Sequence, residues 1–490
     1  MLAAVMILLP PAELRAQMAI KYSVIAPVAP DSVDVARGEK RHFWRAAATV
    51  GGLNIGLWAF DRYVQHGDFS YISLRTIRNN FKKGFIWDND RLGTNMFLHP
   101  YNGNLFYNAG RANGFNYWQS GLFALGGSWM WEMFMEREYP STNDVIATPI
   151  GGMAIGEVLF RISDTMIDDR TVGWERFERE AGAFILSPVR GFTRIITGDA
   201  WRRRPTSGQL FGTPDVGIEF SGGARVLSFT HRKVSDTRLG GAVEFNMEYG
   251  NRYEGESKKP YDYFTLRAGL NLINRQPFLS RLNIMGRLMA EELVDNNVDH
   301  LSLGLYQYFD YYDSDTISSL AAKCPYKLGV PASVGGGLLY RRFLPGKLAF
   351  DAFGHVNAVV LGAILSDHYM VDERNYNLAM GYSVKGGFNL VFGRNKFSIR
   401  ASQDFYRLFT FKGYARGIDL TKVDYRTLNA QGDKSTASFG VTEFSVNLRV
   451  WKRLFLSMGM EYYFRTTHYR DYPNVRSLSL VERMMVTWKL

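Results

Sequence analysis

From about residue 212 onward, apolar and polar residues alternate one by one, segment after segment. The closing segment sets Met484, Val486, Trp488 and Leu490 on one face and Met485, Thr487 and Lys489 on the other. Before it, Leu454, Leu456, Met458, Met460, Tyr462 and Phe464 oppose Ser457, Gly459, Glu461 and Tyr463. The same rule sets Leu266, Ala268 and Leu270 against Thr265, Arg267 and Asn271, and Phe444, Val446 and Leu448 against Glu443, Ser445 and Asn447. It also sets Met380, Tyr382 and Val384 against Gly381, Ser383 and Lys385. A period of two is the pattern of strands with one apolar and one polar wall. Roughly twelve such strands are expected, starting near Asp215, Gly241, Tyr261, Arg281, His300, Lys327, Lys347, Tyr376, Lys396, Ser438, Leu454 and Arg476, with ten or fourteen as the other even counts. The alternative for alternating strands is a soluble antiparallel sandwich, but its strands are usually about 5–6 residues, shorter than these. The expected fold class is therefore membrane all-β, an antiparallel outer-membrane β-barrel with its polar face lining the lumen.

Residues 41–205 have another texture. His42 to Tyr63, Phe115 to Met135, Thr142 to Ser163 and Trp174 to Leu186 read as helices, with a shorter one from Pro188 to Thr197. Ser141 and Asp144 are spaced as a capping box, and Gly152 and Gly156 give a small face for close helix packing. Polar residues interrupt each helix, which lets the segment pass the inner membrane. Ahead of this domain, residues 17–40 read as a linker, and residues 1–16 as a signal peptide with an apolar core from Leu2 to Leu9. The division expected is thus 1–16, 17–40, 41–205 and 206–490.

Composition agrees with a barrel. Hydrophobic residues make up 46% of the 490, too few for a helical multispan protein, while aromatics reach 14%, as interfacial belts require. The single cysteine, Cys324, excludes an intrachain disulfide and a cysteine-ligated metal. A net charge of +11 is spread along the chain, so contact with anionic lipid or lipopolysaccharide is expected, and nucleic acid is not.

The run His99-Pro100-Tyr101-Asn102-Gly103-Asn104, with Tyr107-Asn108, Arg111 and Asn113-Gly114, is distinctive, as are Trp131-Glu132, Pro140-Ser141, Asn143-Asp144, Gly151-Gly152, Gly156-Glu157 and Ser187-Pro188-Val189-Arg190-Gly191-Phe192. Over about residues 95–200 the chain resembles an uncharacterised family, a domain of unknown function, found as an N-terminal helical domain on bacterial outer-membrane barrel proteins. The resemblance implies a Gram-negative cell-envelope location and this architecture; it implies no activity.

Candidate chemistry is sparse. Glu132 is the lone charge between Gly121 and Met135, and a buried carboxylate must be paired or protonated. His99 and Arg111, read as part of a motif-rich loop, are its candidate partners. His99, Arg111, Glu132, Asp144 and Glu157 would together make a polar site for acid–base hydrolysis or binding. The structural alternatives are a cap at Asp144, an i, i+4 pair of Glu157 with Arg161, and a buried pair of Glu132 with Arg111. In the barrel, Asp351, His355 and Asn357 share the polar parity of one strand and form a second candidate, with lumen-lining as the plain reading. One histidine in the first set leaves a zinc site of the usual kind unsupported, and no cofactor motif occurs, so no metal and no cofactor are expected. The expected function is transport, binding or envelope organisation in the outer membrane, with the helical domain capping or plugging the barrel; the alternative is a lipid- or lipopolysaccharide-modifying hydrolase. Expected partners are outer-membrane lipids, lipopolysaccharide, the barrel-assembly machinery and an unknown small-molecule or lipid ligand.

Overall fold

The computed structural model describes residues 40–490 apart from 232–233, 254–258, 274–275, 315–323, 369–373, 394 and 425–427. The expected signal peptide and linker lie outside the described residues, save for Lys40. The described residues form two compact units: Ile86–Leu98 with Asp215–Leu490, and His99–Pro214 with residues 40–85.

The first unit is a closed antiparallel barrel of twelve strands. These are β1 (Val216–His231), β2 (Val234–Tyr249), β3 (Phe264–Leu272), β4 (Leu279–Asp295), β5 (Asp299–Asp313), β6 (Lys327–Leu344), β7 (Leu348–Leu365), β8 (Tyr376–Phe392), β9 (Phe397–Thr410), β10 (Ser435–Trp451), β11 (Leu454–Tyr469) and β12 (Val475–Lys489). Eleven begin within about three residues of the expected starts. The exception, β2, begins at Val234 and not near Gly241, because the polar run Ser235-Asp236-Thr237-Arg238 and the Gly240-Gly241 pair hide the alternation there. The barrel closes where β1 meets β12, with Phe220 opposite Trp488 and Gly222 opposite Val486. At the end where β1 begins, most turns are short, as between β10 and β11; the opposite end carries the longer loops, such as that between β9 and β10.

Alternation sorts the side chains. Met484, Val486 and Trp488 point outward and are about half exposed, while Thr487 faces inward to Ser221 and Ser457. Near the long-loop end the inward face departs from expectation: it is apolar, not polar. Leu227, Phe229, Tyr312, Leu328, Val330, Tyr406, Phe439, Val441 and Tyr463 bury against each other there.

Ile86–Leu98 lies on the outer wall of the barrel. β8 turns Asn377, Ala379, Ser383 and Lys385 inward, so Tyr376 points outward, yet it is only 1% exposed. Its hydroxyl donates to the Asp90 carbonyl (2.9 Å) and accepts from Asn95 Nδ2 (2.7 Å). Arg374 donates to the Asp88 carbonyl at 2.6 Å, and Met96 lies where a Cβ on Gly329 would stand, 2.4 Å away. Phe97 meets Tyr311, which also faces outward because β5 turns Tyr308, Asp310 and Tyr312 inward.

The second unit is helical: α1 (Phe43–Phe60), α2 (Leu74–Lys83), α3 (His99–Arg111), α4 (Tyr117–Met130), α5 (Thr142–Met166), α6 (Gly173–Leu186) and α7 (Pro188–Ile196). The His99–Arg111 run is a helix, not the loop expected. One proline, two glycines and three asparagines give it poor helix propensity, and packing overrides that. α3 crosses α5 with backbones in contact: a Cβ on Gly103 would lie 1.8 Å from the Thr148 carbonyl oxygen, and one on Gly152 would lie 2.4 Å from the Gly103 carbonyl carbon. Gly156 packs on the Tyr107 ring, so the small face expected on α5 seats α3. Ser141 caps α5 by accepting from the Asp144 N–H.

Candidate functional site

Twelve strands bring inward side chains from distant parts of the sequence into three levels of one lumen. Nearest the long loops is the apolar cluster. Tyr326 stacks on Tyr463 with ring centres 4.4 Å apart, and Tyr312 of β5 meets Phe439 of β10 at 5.8 Å, contacts that reach across the lumen. Below it is a belt of ion pairs. Arg281 of β4 pairs with Glu443 of β10 and donates to Glu461 of β11 at 2.5 Å. Arg267 donates to Glu443 at 2.7 Å, and Arg483 pairs with Glu244 and, at 2.9 Å, with Glu461. Lys385 reaches Asp310 (2.7 Å) and Asp404 (3.2 Å). Bonds between strands that are not neighbours run through the lumen, so the expectation that the polar parity faces inward holds at this level.

At the third level is a cavity of about 610 Å³ that reaches the short-turn end at Gly217, Ile218 and Asn395. Tyr263, Tyr308, Leu339, Met285 and Phe353 form its apolar arc. Glu219, Arg400, Ser402 and Lys489 line another part of its wall. Lys489 holds Glu219 at 2.5 Å, Arg341 holds Asp351 at 2.5 Å, and Arg252 donates to Glu248 at 3.0 Å and to the Tyr263 hydroxyl at 2.8 Å.

The residues singled out in the sequence fall in two places. On β7, His355 is buried, its Nδ1 bonded to the Tyr308 hydroxyl and its ring 4.3 Å from Tyr306. Asp351 is engaged by Arg341 and by the Tyr253 hydroxyl at 2.9 Å, and Asn357 donates to Ser383 Oγ at 3.1 Å. The shared parity is real, but each residue has its own partner, and among the described residues no serine or cysteine bonds to His355.

In the helical unit Arg111 pairs with Glu157, not with Glu132. Its Nε donates to Glu157 Oε2 at 2.7 Å and its Nη2 to Oε1 at 3.0 Å. Arg161 Nε adds a bond at 2.8 Å, the expected i, i+4 pair, and the Tyr107 hydroxyl a fourth at 2.7 Å. Glu157 is fully buried; burial pushes its carboxyl up, but Arg111 and Arg161 outweigh it and hold the group below the ordinary carboxylate range. The same surroundings, burial first, raise the Tyr107 phenol well above its usual value. Glu132 Oε2 instead accepts the Ser141 N–H at 2.6 Å, which ties the end of α4 to the start of α5. His99 lies 3.7 Å from Asp144, and a second buried pair joins Arg190 to Asp164.

Two groupings were not foreseen. Asp169 collects Arg176 (2.9 Å) and Arg194 (2.6 Å), both also facing Glu180. Glu292, Asp295 and His300 offer donor atoms within 4.8 Å of one another at the β4–β5 hairpin, a set that could hold a metal ion. Alternation puts the belt residues Arg267, Glu443 and Glu461 on the polar face, but parity alone does not say which inward groups meet.

Residues 84–189 match the family described as Domain of unknown function (DUF3943). That match begins before the resembling stretch and takes in the outer-wall segment Ile86–Leu98. No curated protein matches the chain. Among solved structures, an outer-membrane channel from Pseudomonas putida F1 aligns at 10% identity over 56% of this chain and 94% of its own, with a TM-score of 0.29. The toluene transporter TodX of Pseudomonas putida aligns at 8% identity over 57% and 91%, TM-score 0.23. An anion-selective porin from Comamonas acidovorans aligns at 9% over 57% and 100%, TM-score 0.22.

Proposed function

We propose that this outer-membrane barrel takes a small solute into a one-ended lumenal vestibule, as a binding or gated-transport protein and not as an open pore. The layering of the lumen carries this reading. A water-filled pore has a polar interior, whereas here the cavity of about 610 Å³ ends against the ion-pair belt, and the apolar cluster lies beyond it. Bacterial barrels keep short turns on the periplasmic side, so the vestibule would open toward the periplasm. Side chains of the strands themselves close the lumen, so closure needs no helical plug. A cavity of several hundred Å³ with an apolar lining and a few convergent polar groups is the usual form of a small-molecule site. A lipid-modifying hydrolase is less well supported, because among the described residues the bonds of Asp351, His355 and Asn357 form no relay to a nucleophile.

Planar-bilayer recording of the full chain tests the proposal. The expected result is a closed baseline with at most brief openings, and steady conductance once the apolar cluster is trimmed by Tyr326→Ala with Tyr463→Ala. Steady conductance of the unmodified chain equal to that of the trimmed variant would overturn the closed-lumen reading. No conductance from either would overturn gated transport and leave binding, to be tested by solute retention in reconstituted vesicles.

A further inference from the structure

We infer that the vestibule takes an amphiphilic monoanion: a carboxylate on an apolar body, its charge met by Arg400. The inference rests on the vestibule reading above and names the ligand class it would take.

Among the described residues, the cations that line the cavity are ion-paired with one exception. Lys489 is held by Glu219, Arg341 by Asp351, Arg252 by Glu248, Lys385 by Asp310 and Asp404, and Arg267 by Glu443. Arg400 lies on β9 with the inward parity of Ser398, Ser402 and Asp404, opposite Asn389 of β8 and Ser445 of β10. Among the described residues its guanidinium has no hydrogen bond and no ion pair. The nearby carboxylate, Glu219, feels its field but is bonded to Lys489.

A guanidinium keeps its charge at any working pH and presents donors in a planar fork that fits a carboxylate with two parallel bonds. Set partly out of water in a cavity, it favours an anion, and more strongly than an exposed arginine would. What Arg400 has to spare is its donor fork, and one carboxylate fills it. The rest of the ligand is defined by the arc of Tyr263, Tyr308, Leu339, Met285 and Phe353, which offers ring faces and aliphatic surface. A wholly polar anion would leave that arc uncovered, and a neutral hydrocarbon would leave Arg400 unmatched.

The test uses the full chain in lipid nanodiscs with two probes of one shape, naphthalene-2-carboxylate and the neutral naphthalene-2-carboxamide, followed by naphthalene fluorescence anisotropy. The expected result is at least a tenfold preference for the carboxylate. Arg400→Gln should make the two probes bind equally, and Arg400→Lys should restore part of the preference; retained heat-modifiable mobility on gels would show that each barrel is folded. A folded Arg400→Gln variant that keeps the full preference would overturn the assignment. Equal binding of both probes by the unmodified chain would overturn it while leaving the vestibule reading intact. Binding of neither would count against the vestibule itself.

Discussion

Glu157 concentrates more of the helical unit's electrostatics than any residue the sequence singled out. It accepts from three side chains while fully buried. Glu157→Gln removes the charge and leaves two guanidinium groups uncompensated, which is expected to destabilise the unit by about 3–5 kcal/mol. Thermal melting followed by helical circular dichroism would measure it. Because the folded carboxyl titrates below its unfolded value, its stabilisation is present above about pH 4.3, the ordinary glutamate value, and is lost as the pH falls through the folded value. Melting temperature should therefore drop in acid for the unmodified chain, and that part of the drop should be missing in Glu157→Gln. The sequence marked Glu132 as buried, which it is, and Glu157 as the partner of Arg161, which it is. It did not show that Arg111, forty-six residues away, belongs to Glu157, because a helix has to dock before that distance closes.

At the scale of elements, what was local was readable. Strand alternation depends on neighbours two residues apart, so strands could be placed without any knowledge of closure. α3 was not readable, because its sequence is a weak helix former and its helicity depends on the glycine-to-glycine seat on α5. Gly152→Leu would drive a side chain into the Gly103 backbone and is expected to abolish the fold of the helical unit, seen as rapid proteolysis of residues 99–214. Gly126 of α4 supplies the contrast: a Cβ there meets nothing within 4 Å. Gly126→Ala is expected to stabilise by about 0.5–1 kcal/mol in the same melting assay.

For the whole molecule, closure creates what no single strand encodes. Three levels of lumen arise from side chains that share only a parity in the sequence. The outer-wall segment is a further product of closure, since Tyr376, Arg374 and Gly329 are assembled from separate hairpins before they can hold Asp88, Asp90, Asn95 and Met96. Gly329→Trp should displace Met96 and expose Trp87–Leu98 to protease while the barrel remains heat-modifiable. Asn95 and Tyr376 are 281 residues apart along the chain, and contacts of such separation form late. Ile86–Leu98 is therefore made early on the ribosome and secured late on the barrel. Refolding is expected to show two phases, barrel mobility first and protection of this segment afterwards. A chaperone or assembly factor that held the segment during the interval would set the order in which the two halves mature.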